Sequence, residues 1–164
     1  MSVQSDTHVA PQENAGRAGR RAGQISELTV IAPFKEGGAE RLRAKLANRD
    51  VGGSFAEKVG TLHNSRFVIF DDDTRLLFAT AYDGDWDTYI ADFVRLIPEV
   101  LDHFFSELEG WPGIHDPAVA DYIVDHQVTA EYWYVAYPDA RVQDVLRGQR
   151  LTKAFDDLLD AAQQ

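Results

Sequence analysis

The chain has 164 residues, 45% of them hydrophobic and 26% charged, with a formal net charge of −11 and no cysteine. That composition belongs to a single globular domain, and it excludes disulfides, thiolate zinc or iron–sulfur centres and a cysteine nucleophile. Residues 1–25 carry a net charge of +1, which leaves −12 on the remainder, an acidity that repels phosphate backbones and argues against nucleic-acid binding.

Residues 1–25 are polar, rich in glycine and alanine, and without periodicity. They read as a disordered tail that buries too little to offset its ordering entropy. Arg20-Arg21 is not followed by the apolar stretch of about 7–15 residues that an export signal needs. No apolar run approaches the roughly 20 residues of a membrane span. Together with the absence of cysteine, these features predict a cytoplasmic protein with an untargeted tail and no membrane partner.

Residues 26–164 read as one domain. "LTVIAPF" (28–34) has the β-branched and apolar content of a strand. Ala39, Leu42 and Leu46 then recur at helical spacing over 39–48. Residues 49–60 read as a connection, with Gly52-Gly53 breaking regularity. Two strands, 61–70 and 75–82, flank the acidic turn "DDDT" as a hairpin. Closing that turn symmetrically sets His63 opposite Tyr82, Asn64 opposite Ala81, Ser65 opposite Thr80, Arg66 opposite Ala79 and Phe67 opposite Phe78.

From Trp86 an apolar stripe runs through Tyr89, Ile90, Phe93 and Ile97 to Phe104, Phe105 and Leu108. Asp85 is its N-cap and Pro98 predicts a kink or break. Asp116-Pro117 opens a helix to residue 126. "AEYWYVAY" (130–137) reads as a fourth, aromatic strand, and a last helix covers about 141–161.

The order β-α-β-β-α-α-β-α is a ferredoxin-like split βαβ pattern, an α+β fold whose antiparallel sheet carries its helices on one face. Both faces of the 61–70 and 75–82 strands are largely apolar beyond their polar end, so the second face also needs cover. A second copy packed sheet to sheet provides it; the C-terminal helix is the rival cover. This order, with two-face-apolar strands and a long central helix, resembles the dimeric α+β barrel superfamily, which includes antibiotic-biosynthesis-type monooxygenases, chlorite-dismutase-like proteins and dye-decolorising peroxidases. "TLHNSRFVIF" and "LLFATAYDGDWDTYIADF" are also similar to a group of uncharacterised bacterial domains with an H-x-x-R strand and a YDG turn. The superfamily resemblance implies a homodimer that binds an apolar or aromatic small molecule between sheet and helices, as an oxidative enzyme of the monooxygenase or haem-peroxidase sort. The alternative is a non-catalytic interaction module whose aromatic strands form a dimer interface.

The polar strand end carries the candidate site. His63 with Tyr82 is a candidate catalytic proton-transfer pair, and Trp133 a candidate ligand-binding wall. Arg66 and Asp83 are placed beside the ligand as a supporting ion pair. Strand parity keeps His63 and Arg66 on opposite faces unless a bulge intervenes. Asp83, Asp85 and Asp87 have calcium-loop spacing, but Thr88 and Val94 stand where glycine and glutamate are needed, so no metal site is assigned. His103, His115 and His126 share no ligand spacing. A single axial histidine needs none, which leaves haem open as a cofactor.

Overall fold

The computed structural model describes residues 19–47 and 58–162, and the backbone of 12–14. Its elements are β1 (Gln12–Asn14), β2 (Arg20–Ala22), β3 (Ile25–Pro33), α1 (Gly38–Ala47), β4 (Leu62–Phe70), β5 (Arg75–Asp83), α2 (Trp86–Leu96), α3 (Pro98–Phe105), α4 (Val119–His126) and α5 (Val142–Ala162). Most of the 49–60 connection lies outside the described residues.

The fold is α+β. Among the described residues one antiparallel sheet has the order β1-β2-β3-β5-β4. β3 and β4 are parallel with β5 between them, joined through α1, which is the split βαβ connection. One sheet face carries Leu28, Val30, Leu76, Phe78 and Tyr82 against the helices, in a core with Leu42, Tyr89, Phe93, Leu101 and Phe105. Tyr82 stacks on Tyr89 at 3.7 Å, and Tyr89 shares a 2.6 Å hydrogen bond with Thr80.

Local chemistry sets the element boundaries. The Asp85 carboxylate accepts the backbone N–H of Thr88 at 2.9 Å and its hydroxyl at 3.0 Å, which caps α2 and holds that carboxyl below its usual range. Asp85→Ala is expected to lower stability by about 1 kcal/mol in urea denaturation. Pro98 breaks the stripe as expected: α2 ends at Leu96, Ile97 leaves helical geometry (φ −141°), and Pro98 opens α3. The Asp102 carboxylate then fastens the following loop by accepting Trp111 Nε1–H and the Ile114 backbone N–H, both at 2.8 Å.

Three expectations are corrected. The sheet extends into the predicted tail, because β1 and β2 pair onto the edge of β3. The β2–β3 turn has Gly23 at φ +59°, where a Cβ would lie 2.6 Å from the Pro138 carbonyl. Secondly, residues 130–137 form no strand. The β3 edge they would pair with is already engaged: β2 occupies Ile25 and Ser26, Gln127 bridges Val30, and the Val128 N–H bonds the Thr29 carbonyl at 2.8 Å. The aromatic segment instead runs as a strap whose Tyr132 and Tyr137 are 70% and 78% exposed. Thirdly, the C-terminal helix, the rival cover for the second sheet face, meets it only at its root: every described residue past Leu146 is exposed.

Candidate functional site

The hairpin register is as read from the turn for Asn64↔Ala81 through Ile69↔Leu76, but it shifts between Leu62 and Asn64, so that Leu62 faces Tyr82. His63 is the extra residue of a β-bulge. The consequence is a change of face. Leu62 takes the buried place beneath the helices, and His63 turns to the opposite face beside Asn64.

There His63 Nε2 lies 2.7 Å from Asp83 Oδ1, with side chains 20% and 9% exposed. The other carboxylate oxygen, Oδ2, accepts the Val142 backbone N–H at 2.9 Å, at the start of α5. An ionised carboxylate accepts only, so Asp83 fixes His63 as the Nε2–H tautomer. Its Nδ1 remains an acceptor without a partner among the described residues.

The strap closes over this corner. Gln24 N–H bonds the Pro138 carbonyl at 2.8 Å, the Arg141 guanidinium bonds the Gln24 side chain, and Gln143 Nε2 bonds the Gly60 carbonyl at 3.1 Å. Between strap and sheet is a cleft of ≈ 290 Å³ with Ile25, Ala81, Trp133, Val135 and Val145 as apolar wall and His63 and Asn64 as polar wall. On the neighbouring part of this face the buried Glu27 carboxylate accepts the Arg20 N–H at 3.1 Å and the Thr29 hydroxyl at 3.0 Å. Two carboxylates near the cleft disfavour an anionic ligand.

Of the residues expected at a site, His63 and Trp133 share this cleft, and Asp83 orients His63. Tyr82 does not belong to it. It is fully buried on the helix face, and burial, with added repulsion from Glu27 and Asp85, raises its phenol far above the ordinary value. Its hydroxyl has no partner among the described residues. The expected His63–Tyr82 pair is therefore replaced by His63–Asp83, because the bulge separates the two rings onto opposite faces. The Arg66–Asp83 pair is also absent: Arg66 is exposed and makes no ion pair among the described residues. The bulge does bring His63 onto the face where strand alternation puts Arg66.

Sequence reasoning missed the bulge and the docking of α5 on Asp83. The bulge left a trace in the sequence, since the helix-face residues are Phe67 and Ile69 at odd positions but Leu62 at an even one. A parity change within a strand marks one inserted residue.

The space between sheet and helices, where a ligand was expected, holds two small cavities among the described residues, ≈ 30 Å³ beside Leu28, Phe93, Phe105 and Trp111 and ≈ 40 Å³ beside Leu62, Phe67, Phe78 and Phe104. Each is near the ~30 Å³ share of one water. His103 and His115 are exposed, and His126 Nδ1 bonds the Tyr122 carbonyl at 2.8 Å. Among the described residues no three His, Asp or Glu side chains are grouped to hold a metal ion, and no helix is long and apolar enough to cross a membrane. The chain matches no protein-family model, no curated protein and no solved structure.

Proposed function

We propose that this domain binds a small, flat, uncharged aromatic molecule carrying a hydrogen-bond donor, in the cleft between the strap and the sheet. The observation that carries this reading is the Asp83-oriented His63 at 2.7 Å, set in the wall of a ≈ 290 Å³ cleft that also holds Trp133. Trp133 and Val135 supply apolar surface, and His63 Nδ1 supplies one directional acceptor. In the monooxygenase-like reading that the dimeric α+β barrel resemblance implies, His63 is the base that takes the ligand's acidic proton. The split βαβ order and the packing of α1–α4 on one sheet face support that resemblance.

The test is a titration by tryptophan fluorescence with 2-naphthol and with its methyl ether, which lacks the donor. Saturable quenching by 2-naphthol is expected, at least tenfold tighter than by the ether. His63→Ala should remove that difference while leaving the circular dichroism spectrum intact, and Trp133→Ala should weaken both. No saturable binding to the wild type would sink the reading.

One observation favours an interaction module as the second reading. Ile31, Leu77 and Val68 form an apolar row across the second sheet face, with Val68 43% exposed. A second copy packed on this face would bury the row, as in a dimeric barrel.

A further inference from the structure

Two neighbouring residues of β4 face the cleft, which a regular strand does not allow. Successive side chains of a strand point to opposite faces. The bulge between Leu62 and Asn64 breaks that alternation, so His63 and Asn64 both line the space beneath the strap. Their Cα atoms are about 3.8 Å apart, close enough for one small functional group to meet both side chains.

The two offer complementary chemistry. His63 presents Nδ1 as an acceptor, while Asp83 Oδ1 holds its Nε2–H at 2.7 Å. Asn64 is exposed and makes no hydrogen bond among the described residues, which leaves its Nδ2 group free to donate. A carboxylate, an imidazole with its far nitrogen open and an adjacent amide donor are the base and the oxyanion stabiliser of acyl transfer. Among the described residues the cleft walls carry no serine, threonine or lysine, so the nucleophile is water.

We infer that the cleft hydrolyses small, uncharged aryl esters, with His63 as general base and Asn64 as oxyanion donor. The inference rests on the reading of the cleft as an aromatic site, whose donor-bearing ligand becomes the product. Trp133 and Val135 take the aryl ring. His63 Nδ1 takes a proton from water as the water oxygen bonds to the ester carbonyl carbon. The carbonyl oxygen becomes an oxyanion and accepts from Asn64 Nδ2. Asp83 stays ionised and stabilises the imidazolium. When the oxyanion collapses, the bond from the carbonyl carbon to the aryl oxygen breaks, and the imidazolium returns its proton to that oxygen. A carboxylic acid and a phenol result. An aryloxide leaves readily, so one histidine suffices for both proton transfers.

The test is turnover of 2-naphthyl acetate by the full chain at neutral pH, read as fluorescence of the released 2-naphthol. Saturable turnover is expected, at least about 100-fold faster than with 4-methylimidazole at the same concentration. His63→Ala should lower kcat/KM at least about 100-fold and Asn64→Ala about 10–100-fold. Asp83 is a positioning residue, so Asp83→Asn should lower kcat at least about tenfold with KM within about threefold of the wild type. His103→Ala, at an exposed histidine outside the cleft, should change neither. Because Asn64 is exposed, its variant keeps the test decisive even where His63→Ala fails to fold. Turnover no faster than with 4-methylimidazole, or unaffected by His63→Ala, would overturn the hydrolysis; turnover that Asn64→Ala leaves intact would overturn the oxyanion assignment. If 2-naphthol binds saturably and the ester is not turned over, the hydrolysis falls and the binding reading stands. If turnover depends on His63 and 2-naphthol does not bind, the hydrolysis stands and the binding reading falls.

Discussion

Asp83→Ala is expected to lower stability by about 2–4 kcal/mol and to release the strap, because one carboxylate serves two partners. His63 Nε2–H and the Val142 N–H both lose their acceptor in a largely buried corner. Neither gains another without water entering. The loss should show as a lower denaturation midpoint in urea and as new protease cleavage between residues 128 and 141. Asp83→Asn separates support of α5 from control of the histidine. The amide oxygen still accepts from Val142, so stability should stay within about 1 kcal/mol of the wild type. Its NH2 group, however, must donate to His63 Nε2, which forces the proton onto Nδ1 and turns the cleft's acceptor into a donor. The preference between 2-naphthol and its methyl ether should then narrow or reverse. Unchanged discrimination in Asp83→Asn would mean that His63 does not read the ligand's donor.

Glu107→Ala is the second large expected loss, about 2–3 kcal/mol, on the opposite side of the core. The Glu107 carboxylate is nearly buried and receives Arg41 and Lys45, each at 2.6 Å. Removing it strands two cations, although the half-exposed Arg41 is partly rescued by water, which keeps the cost below that of a fully buried pair. Burial alone pushes the carboxyl upward, but the hydrogen bonds and charges of Lys45 and Arg41 outweigh it and hold the value below the ordinary 4.5. A depressed carboxyl contributes stability that is complete above the unfolded value and is lost as pH falls through the folded one. The gap in unfolding free energy between wild type and Glu107→Gln should thus be constant at pH 6–8 and shrink as the solution is acidified below 4.5. A gap that is the same at pH 3 and pH 7 would show that the ion pairs contribute nothing.

Much of the fold was legible because local chemistry and long-range packing agree. The turn at Asp71–Thr74 set the pairing of His63 to Ile69, and that register is found for all of them but His63, where the bulge intervenes. Pro98 and Asp85 marked the helix break and cap for reasons internal to the helix. The reading failed where a decision depended on an edge elsewhere. Residues 130–137 have the composition of a strand, but the β3 edge was engaged by β2 and by Gln127, and nothing in the segment itself records that competition. The candidate site shows the same division. His63, Asp83 and Trp133 were recognisable as polar and aromatic residues out of place, but one inserted residue exchanged their partners. Asp83 holds His63 rather than Arg66, and Tyr82 is sealed on the far side of the sheet.

The bulge at His63 has a second consequence, for solubility. Among the described residues β4 is an edge of the sheet, and its run Phe67-Val68-Ile69-Phe70 has the low charge and high β-propensity of a segment that recruits other chains. The irregular pairing at Leu62–Asn64 closes one end of that template. Asp71, Asp72 and Asp73, all at positive φ (57°, 49° and 66°), close the other with a sharp acidic turn. A foreign strand approaching this edge would find a short flat stretch bounded by a kink and three carboxylates, so the bulge that turns the histidine to the cleft also helps to keep the protein from sticking to itself through β4.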